Sequence, residues 1–259
     1  FLVSPDGRPG WAHDFSEFGY DVYAVNWPGI VNKEFENSRI TSDSILEGMI
    51  DFISPIKGEI IALVHSASGP FGWKLAEIIP SISKVIGIAP GEPGNIQSIP
   101  KEKRIGESGI ELISNHVTYR FDLKRPWHPE DLWIRQKLIG TSRYFPMDFY
   151  DAYKESLIDV PSLIIHDRMN VEGAQLKISP EAIRNNDTRI YIFTGTEDIS
   201  HPRSVDEPIH EWLLTNGIKS QFHWLGDEGF IGNGHVMMLE KNSRSIAQHI
   251  YKVISARLD

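Results

Sequence analysis

The sequence predicts an α/β protein in which a mostly parallel sheet is covered by helices on both faces. Short β-branched runs alternate with amphipathic segments along much of the chain, the pattern of strands separated by crossover helices. The run Ile60 to Val64 is apolar at every position, as a strand buried on both sides must be. It passes into the next helical segment through a few small residues, which leaves room for a tight strand-to-helix turn.

Taken in order, Trp11 to Phe18 predicts a helix ending near Gly19. Asp21 to Val25 alternates as a strand closed by Asn26-Trp27-Pro28-Gly29. Asp43 to Ile53 has apolar positions at helical spacing behind a Thr41-Ser42 cap, and the strand Ile60 to Val64 follows. A helix from Pro70 to Ile79 and a strand from Lys84 to Ile88, stopped by Pro90-Gly91, complete a regular repeat. Between about Glu92 and Asn186 that regularity fails, and charged helical stretches such as Pro129 to Leu138 and Asp148 to Leu157 suggest an inserted, mostly helical lid. The expected division is a core of residues 1–92 and 187–259 with a lid of residues 93–186. The repeat resumes with a strand Arg189 to Thr194, a helix Val205 to Asn216, a strand Ser220 to Leu225 and a closing helix Ser243 to Leu258. Val160 to Asp167 also reads as a core strand followed by an acid, but the run at Arg189 has the helix, strand and histidine loop that should come after it.

Composition narrows the function. With 41% hydrophobic and 24% charged residues, and no apolar run of membrane-spanning length, the expectation is a soluble protein without a membrane partner. A net charge of −9 without a Lys/Arg run argues against nucleic acid as a partner. The absence of cysteine removes disulfides, thiolate metal sites and Cys nucleophiles. Asn186-Asp187-Thr188 is weak evidence of secretion, so a cytoplasmic location is favoured slightly over a secreted one. The start Phe1-Leu2-Val3-Ser4, with no initiator Met, suggests processing or truncation.

The chemistry gathers at three places. Leu63-Val64-His65-Ser66-Ala67-Ser68-Gly69-Pro70 sits where a nucleophile elbow belongs. The residues two before and two after an elbow nucleophile should be small. Val64 would flank Ser66, whereas Ser66 and Pro70 flank Ser68, so Ser68 is preferred. His235, in Gly232-Asn233-Gly234-His235 after the last expected strand, is the candidate base. The carboxylate that would orient it is Asp198, in Gly195-Thr196-Glu197-Asp198, with Glu92 in Pro90-Gly91-Glu92-Pro93 as the competing site. Trp27, Trp127 and Trp133 are candidate substrate contacts. A metal centre on His201, Asp198 and His210 is a remote alternative.

The elbow His65-Ser66-Ala67-Ser68-Gly69, with Pro90-Gly91-Glu92 and Gly232-Asn233-Gly234-His235 followed by Met237-Met238, resembles an esterase branch of the α/β-hydrolases found in bacteria and fungi. In that branch the elbow reads H-S-Q-S-G and the histidine motif G-N-G/S-H-M-M-M. Many members carry the acid as a Glu directly after the strand preceding the lid, where this chain has Ala89, and that departure favours Asp198. The resemblance implies a carboxylesterase-like serine hydrolase acting on a small-molecule ester or lactone, with no cofactor and no metal. It also implies that the first strands and a Gly-rich oxyanion loop lie before Phe1, leaving the Gly69 N–H as the second oxyanion donor. An amidase or carbon–carbon bond hydrolase would use the same triad, and a non-catalytic ligand-binding member of the fold is the rival from another class. A homodimer is the assembly to test for.

Overall fold

In a computed structural model, residues 1–27 and 40–256 are described. The central sheet contains β1 (Ile60–His65), β2 (Ile82–Ile88), β8 (Arg189–Thr194) and β9 (Ser220–Trp224), in that order and parallel throughout. The links between parallel neighbours are α3 (Gly69–Ile78) between β1 and β2, and α8 (Arg203–Thr215) between β8 and β9. Between β2 and β8 runs the long insert.

Alternation along the strands feeds two cores. Val85, Ile190 and Ile192 face one side, with α3 and with α2 (Ser42–Ile53), which the Thr41 side chain caps as its spacing suggested. Ile86, Ile88, Tyr191 and Phe193 face the other, against α1 (Trp11–Glu17) and α9 (Ser243–Ser255). The C-terminal ends of all four strands open onto one edge, where open α/β sheets bind their ligands. No helix among the described residues is long and apolar enough to cross a membrane.

Two expectations differ from what is observed. Residues 21–25 form no strand: Val22, Tyr23 and Val25 are 40%, 58% and 40% exposed, and β1 is an edge of the sheet among the described residues. For that reason β1 is mostly half-buried rather than fully covered. Pro28 and Gly29 of the expected turn lie outside the described residues.

The insert is also less helical than its charged stretches suggested. It contains an antiparallel sheet of β3 (Glu102–Ile105), β4 (Gly109–Ser114) and β5 (Val117–Asp122). Asn115 and His116 turn between β4 and β5 with φ of +44° and +67°, the pair of left-handed residues that a two-residue hairpin needs. Ile110, Leu112, Val117, Tyr119 and Phe121 alternate inward to form a separate small core. A bridge of β6 (Pro126–Trp127) with β7 (Val160–Pro161) closes the sheet's flank. The helices are short: α4 (Asp131–Trp133) runs into a π-helical turn, Ile134–Ile139, and α5 (Tyr150–Ser156) follows. Beyond β7 come α6 (Ser162–Arg168), where a strand was the rejected alternative, and α7 (Pro180–Asn185). Ile164, Leu176, Ile178 and Ile183 pack into the core with α3, whereas Val171, with Ile165 and Met169, packs on the small antiparallel sheet.

Candidate active site

At the end of β1 the chain turns abruptly. Ser66 has φ +51°, in the left-handed region that a β-carbon disfavours, and opens a 3-10 turn, Ser66–Ser68, leading into α3. The turn is held by its own backbone, because the Ser66 carbonyl accepts from the Gly91 N–H at 2.8 Å and from the Gly69 N–H. Close approach is made possible by glycines. A β-carbon at Gly69 would lie 2.7 Å from Gly91 N, and one at Gly72 would lie 2.9 Å from a Val64 methyl.

The strained turn aims Ser66, not Ser68, at the histidine. His235 Nε2 is 2.8 Å from Ser66 Oγ, and His235 Nδ1 is 2.5 Å from Asp198 Oδ2. A carboxylate only accepts, so Nδ1 carries the ring proton and Nε2 is left as the acceptor for the Ser66 hydroxyl. Asp198 Oδ1 takes the backbone N–H groups of Ser200 and His201, each at 3.1 Å. His235 is 1% exposed and Asp198 is 3% exposed. Burial alone would raise the Asp198 pKa, but its electrostatic attraction to the His235 and His201 rings, the hydrogen bond from His235 and the nearby Lys137 outweigh burial and hold the carboxyl well below the usual carboxylate range. Burial also holds His235 well below an ordinary histidine, against the opposing pull of Asp198. Its ring is therefore a neutral acceptor at neutral pH.

The hydroxyl within hydrogen-bond reach of His235 is that of Ser66, whereas the sequence favoured Ser68. The steric objection to Ser66 rested on Val64, yet the space between strand and helix is provided on the helix side, by Gly72 facing Val64. Ser68 stands at the N-terminus of α3, makes no capping bond, and lines the cavity beside Ser66. The Gly69 N–H is already taken up by the Ser66 carbonyl, so it is not free to bind an oxyanion. Of the two acids, Asp198 reaches His235. Glu92 does not bond to it; it is half-buried, its pKa is raised by burial and then by Asp206, and the charge of His201 acts in the opposite direction.

A cavity of about 350 Å³ lies over Ser66. Trp27 lines it, with Leu138, Tyr153 and Leu157 from the insert and Val236 and Met238 from the histidine loop. Trp127 and Trp133 stand elsewhere, packed on each other at 4.9 Å beside Tyr119 on the small antiparallel sheet. The His201, Asp198 and His210 metal set is not assembled. Among the described residues the one group of three close metal-ligand types is His13, Asp14 and Glu17, and both of its acids pair with Arg244.

Several polar groups around Ser66, His235 and Asp198 had no sequence signal. His65 donates from Nε2 to the His235 carbonyl at 2.9 Å. His201 stacks on the His235 ring at 5.0 Å and bonds Asp206 through Nδ1 at 2.8 Å, and Asp206 also accepts from Thr194 Oγ1 at 2.6 Å. Lys137, buried in the π-helical turn, is pulled down to about 8 by burial, against Asp198 and Asp206. The alternation in β4 and β5 was the sequence signal available to place the insert's small sheet.

No family model matches the chain. Its sequence is 22% identical to a probable secreted lipase, phiG, of a fungal species, over 307 aligned positions covering 96% of this chain and 76% of that protein. Polyneuridine aldehyde esterase superposes with a TM-score of 0.63 at 15% identity, covering 98% of this chain and 96% of that one. A pyrethroid hydrolase from Sphingobium faniae gives 0.59 at 13%, covering 98% and 94%. A monoacylglycerol lipase from Paleococcus ferrophilus gives 0.57 at 17%, covering 94% and 86%. The chain has the α/β-hydrolase fold.

Proposed function

We propose that the protein is a serine hydrolase that cleaves carboxylic esters through an acyl-enzyme on Ser66. The observation that carries the reading is the continuous chain from Ser66 Oγ through His235 to buried Asp198. As Ser66 Oγ attacks the ester carbonyl, His235 Nε2 takes its proton, and Asp198 stabilises the imidazolium that forms. The same proton then goes to the departing alkoxide. Water, deprotonated by His235, attacks the acyl carbon, the bond to Ser66 Oγ breaks as His235 returns that proton to Oγ, and the carboxylic acid leaves. The backbone N–H of Ala67, the residue after the nucleophile, is the oxyanion donor in place of Gly69. The apolar walls from Leu138, Tyr153, Leu157 and Met238 suit an uncharged acyl or alkyl group.

The relatives named as lipase and esterase support ester hydrolysis as the reaction class. The test compares two serines. Ser66→Ala should abolish fluorophosphonate labelling and turnover of short-chain nitrophenyl esters, while Ser68→Ala keeps both. Label recovered on Ser68, or activity surviving in Ser66→Ala, sinks the assignment.

A further inference from the structure

Three residues before His235, Gly232-Asn233-Gly234, leave its loop with little restraint of its own; Gly232 sits at φ +107°. The restraint comes from beyond the histidine. Glu240 is fully buried at 0% exposure and turns back onto this loop. Its Oε1 accepts from the Gly234 N–H at 2.8 Å and from the Ser142 hydroxyl at 2.5 Å, and its Oε2 accepts from the Asn233 amide. Asn233 is held in turn by Asn242, through bonds of 2.7 and 3.1 Å. A carboxylate buried among neutral donors is costly unless each donor is well placed, and here the donors come from the loop to be fixed and from the insert.

Ser142 belongs to a turn that grips both catalytic loops. Thr141 Oγ1 donates to Glu197 Oε2 at 2.5 Å, next to Asp198, and the Arg143 N–H donates to the Gly232 carbonyl at 2.9 Å. The two loops are joined directly as well, by the Glu197 N–H on the Asn233 carbonyl at 2.8 Å. The insert is thus fastened to the acid and the histidine at residues 141–143, while its Leu138, Tyr153 and Leu157 line the cavity.

We propose that Glu240, anchored by Ser142 of the insert, is a positioning residue that sets the angle at which His235 presents Nε2 to Ser66. The inference rests on Ser66 and His235 being nucleophile and base. A misplacement of about 1 Å in a catalytic group costs on the order of 100-fold in rate, so the network is tested through kcat. With a short-chain nitrophenyl ester, Glu240→Ala should lower kcat by roughly 30- to 100-fold with KM within about twofold, and fluorophosphonate labelling of Ser66 should slow in step. Glu240→Gln keeps an oxygen for both Gly234 and Ser142, and once the paired Asn233 and Asn242 amides turn over together so that Asn233 Oδ1 accepts from the new NH2, it should recover most of that loss. Ser142→Ala should lower kcat by roughly three- to tenfold with little change in thermal midpoint, and it decides the matter if Glu240→Ala does not fold. The proposal is overturned by a folded Glu240→Ala with wild-type kcat, by a loss that Gln fails to restore, by a loss appearing in KM alone, or by an unchanged kcat in Ser142→Ala. Ser66→Ala run beside them separates the two ideas. If it stays active, the reading of the site is wrong; if it is dead while the Glu240 and Ser142 variants are fully active, only the positioning role fails.

Discussion

Gly195 offers a direct measure of how closely the acid and histidine loops must approach. It directly follows β8, three residues before Asp198, and a β-carbon there would stand 2.4 Å from the Asn233 carbonyl oxygen, 2.9 Å from its carbon and 3.1 Å from the Gly234 oxygen. Reaching even 3.0 Å from that oxygen requires 3.0 − 2.4 = 0.6 Å of movement, and both atoms in the way are backbone. Gly195→Ala must therefore push apart the loops that carry Asp198 and His235 by about 0.6–1 Å. Overpacking of this kind costs about 1–3 kcal/mol in stability. Displacement of the base on that scale should cost up to about 100-fold in kcat. Gly94 is a matched control: its β-carbon would meet the Gln175 carbonyl oxygen at 2.4 Å, its carbon at 2.9 Å and the Leu176 oxygen at 3.1 Å, in a contact that joins neither catalytic loop. Gly94→Ala should lose similar stability while keeping kcat within about threefold. Urea unfolding and nitrophenyl ester kinetics on the pair provide the comparison. Equal losses of kcat in both variants, or full activity in Gly195→Ala, would refute the argument that loop contact sets the geometry.

Three further outcomes follow from the buried charges. Burial pulls His65 to about 4 from an ordinary 6.5, so between those values the unfolded chain binds a proton that the native chain refuses; stability present above pH 6.5 is lost as pH falls toward 4, by on the order of 3 kcal/mol. His65→Gln, which keeps a donor for the His235 carbonyl, should flatten urea midpoints across that range, and an unchanged slope would count against the assignment. Lys137 at about 8, against an ordinary 10.5, costs the native state about 3 kcal/mol below pH 8, and the cost fades as pH rises to 10.5. Lys137→Met should accordingly be more stable by about 2–3 kcal/mol at pH 7, with no gain near pH 10.5. Because the Lys137 charge is among the groups that lower His235, the same variant should move the acid limb of kcat/KM to higher pH; a fixed limb would contradict that coupling.

The inner strands were legible because they are largely buried and rich in apolar residues: β8 occupies the expected Arg189–Thr194, and β2 differs from expectation only at its start, while the half-buried edge strand β9 was placed by its position after a helix and differs only at its end. The pairing of Asp198 with His235 could be anticipated because the fold fixes which strand ends bring an acid and a histidine loop together. The insert was misread for a physical reason. Its helices are short and its charged stretches look helical, while the signal for β5, inward Val117, Tyr119 and Phe121 with outward Thr118 and Arg120, is short and begins behind an Asn-His turn that lacks the usual glycine. Asp21 to Val25 failed in the opposite sense, since local alternation cannot create a strand without a neighbour to pair with. Glu240 and the His201–Asp206 pair have no local pattern at all; their roles arise only when the loops are folded back on one another.

The choice between Ser66 and Ser68 shows where local reasoning stopped. The argument against Ser66 assumed that the residue two before it had to be small, as if the elbow's clearance belonged to the strand. Clearance is a property of the pair of surfaces, and a glycine on the helix provides it as well as one on the strand. Gly72 stands opposite Val64, and Gly69 lets the start of α3 pack against Gly91, so Val64 keeps its bulk and contributes to the core instead. The strain that marks the turn, φ +51° at Ser66, is held by the two N–H groups that its carbonyl accepts. One of those donors is Gly69, so the residue expected to bind an oxyanion instead stabilises the conformation that aims the Ser66 hydroxyl at His235. With Ser66 rather than Ser68 proposed as the nucleophile, the proposed oxyanion donor moves with it, to Ala67.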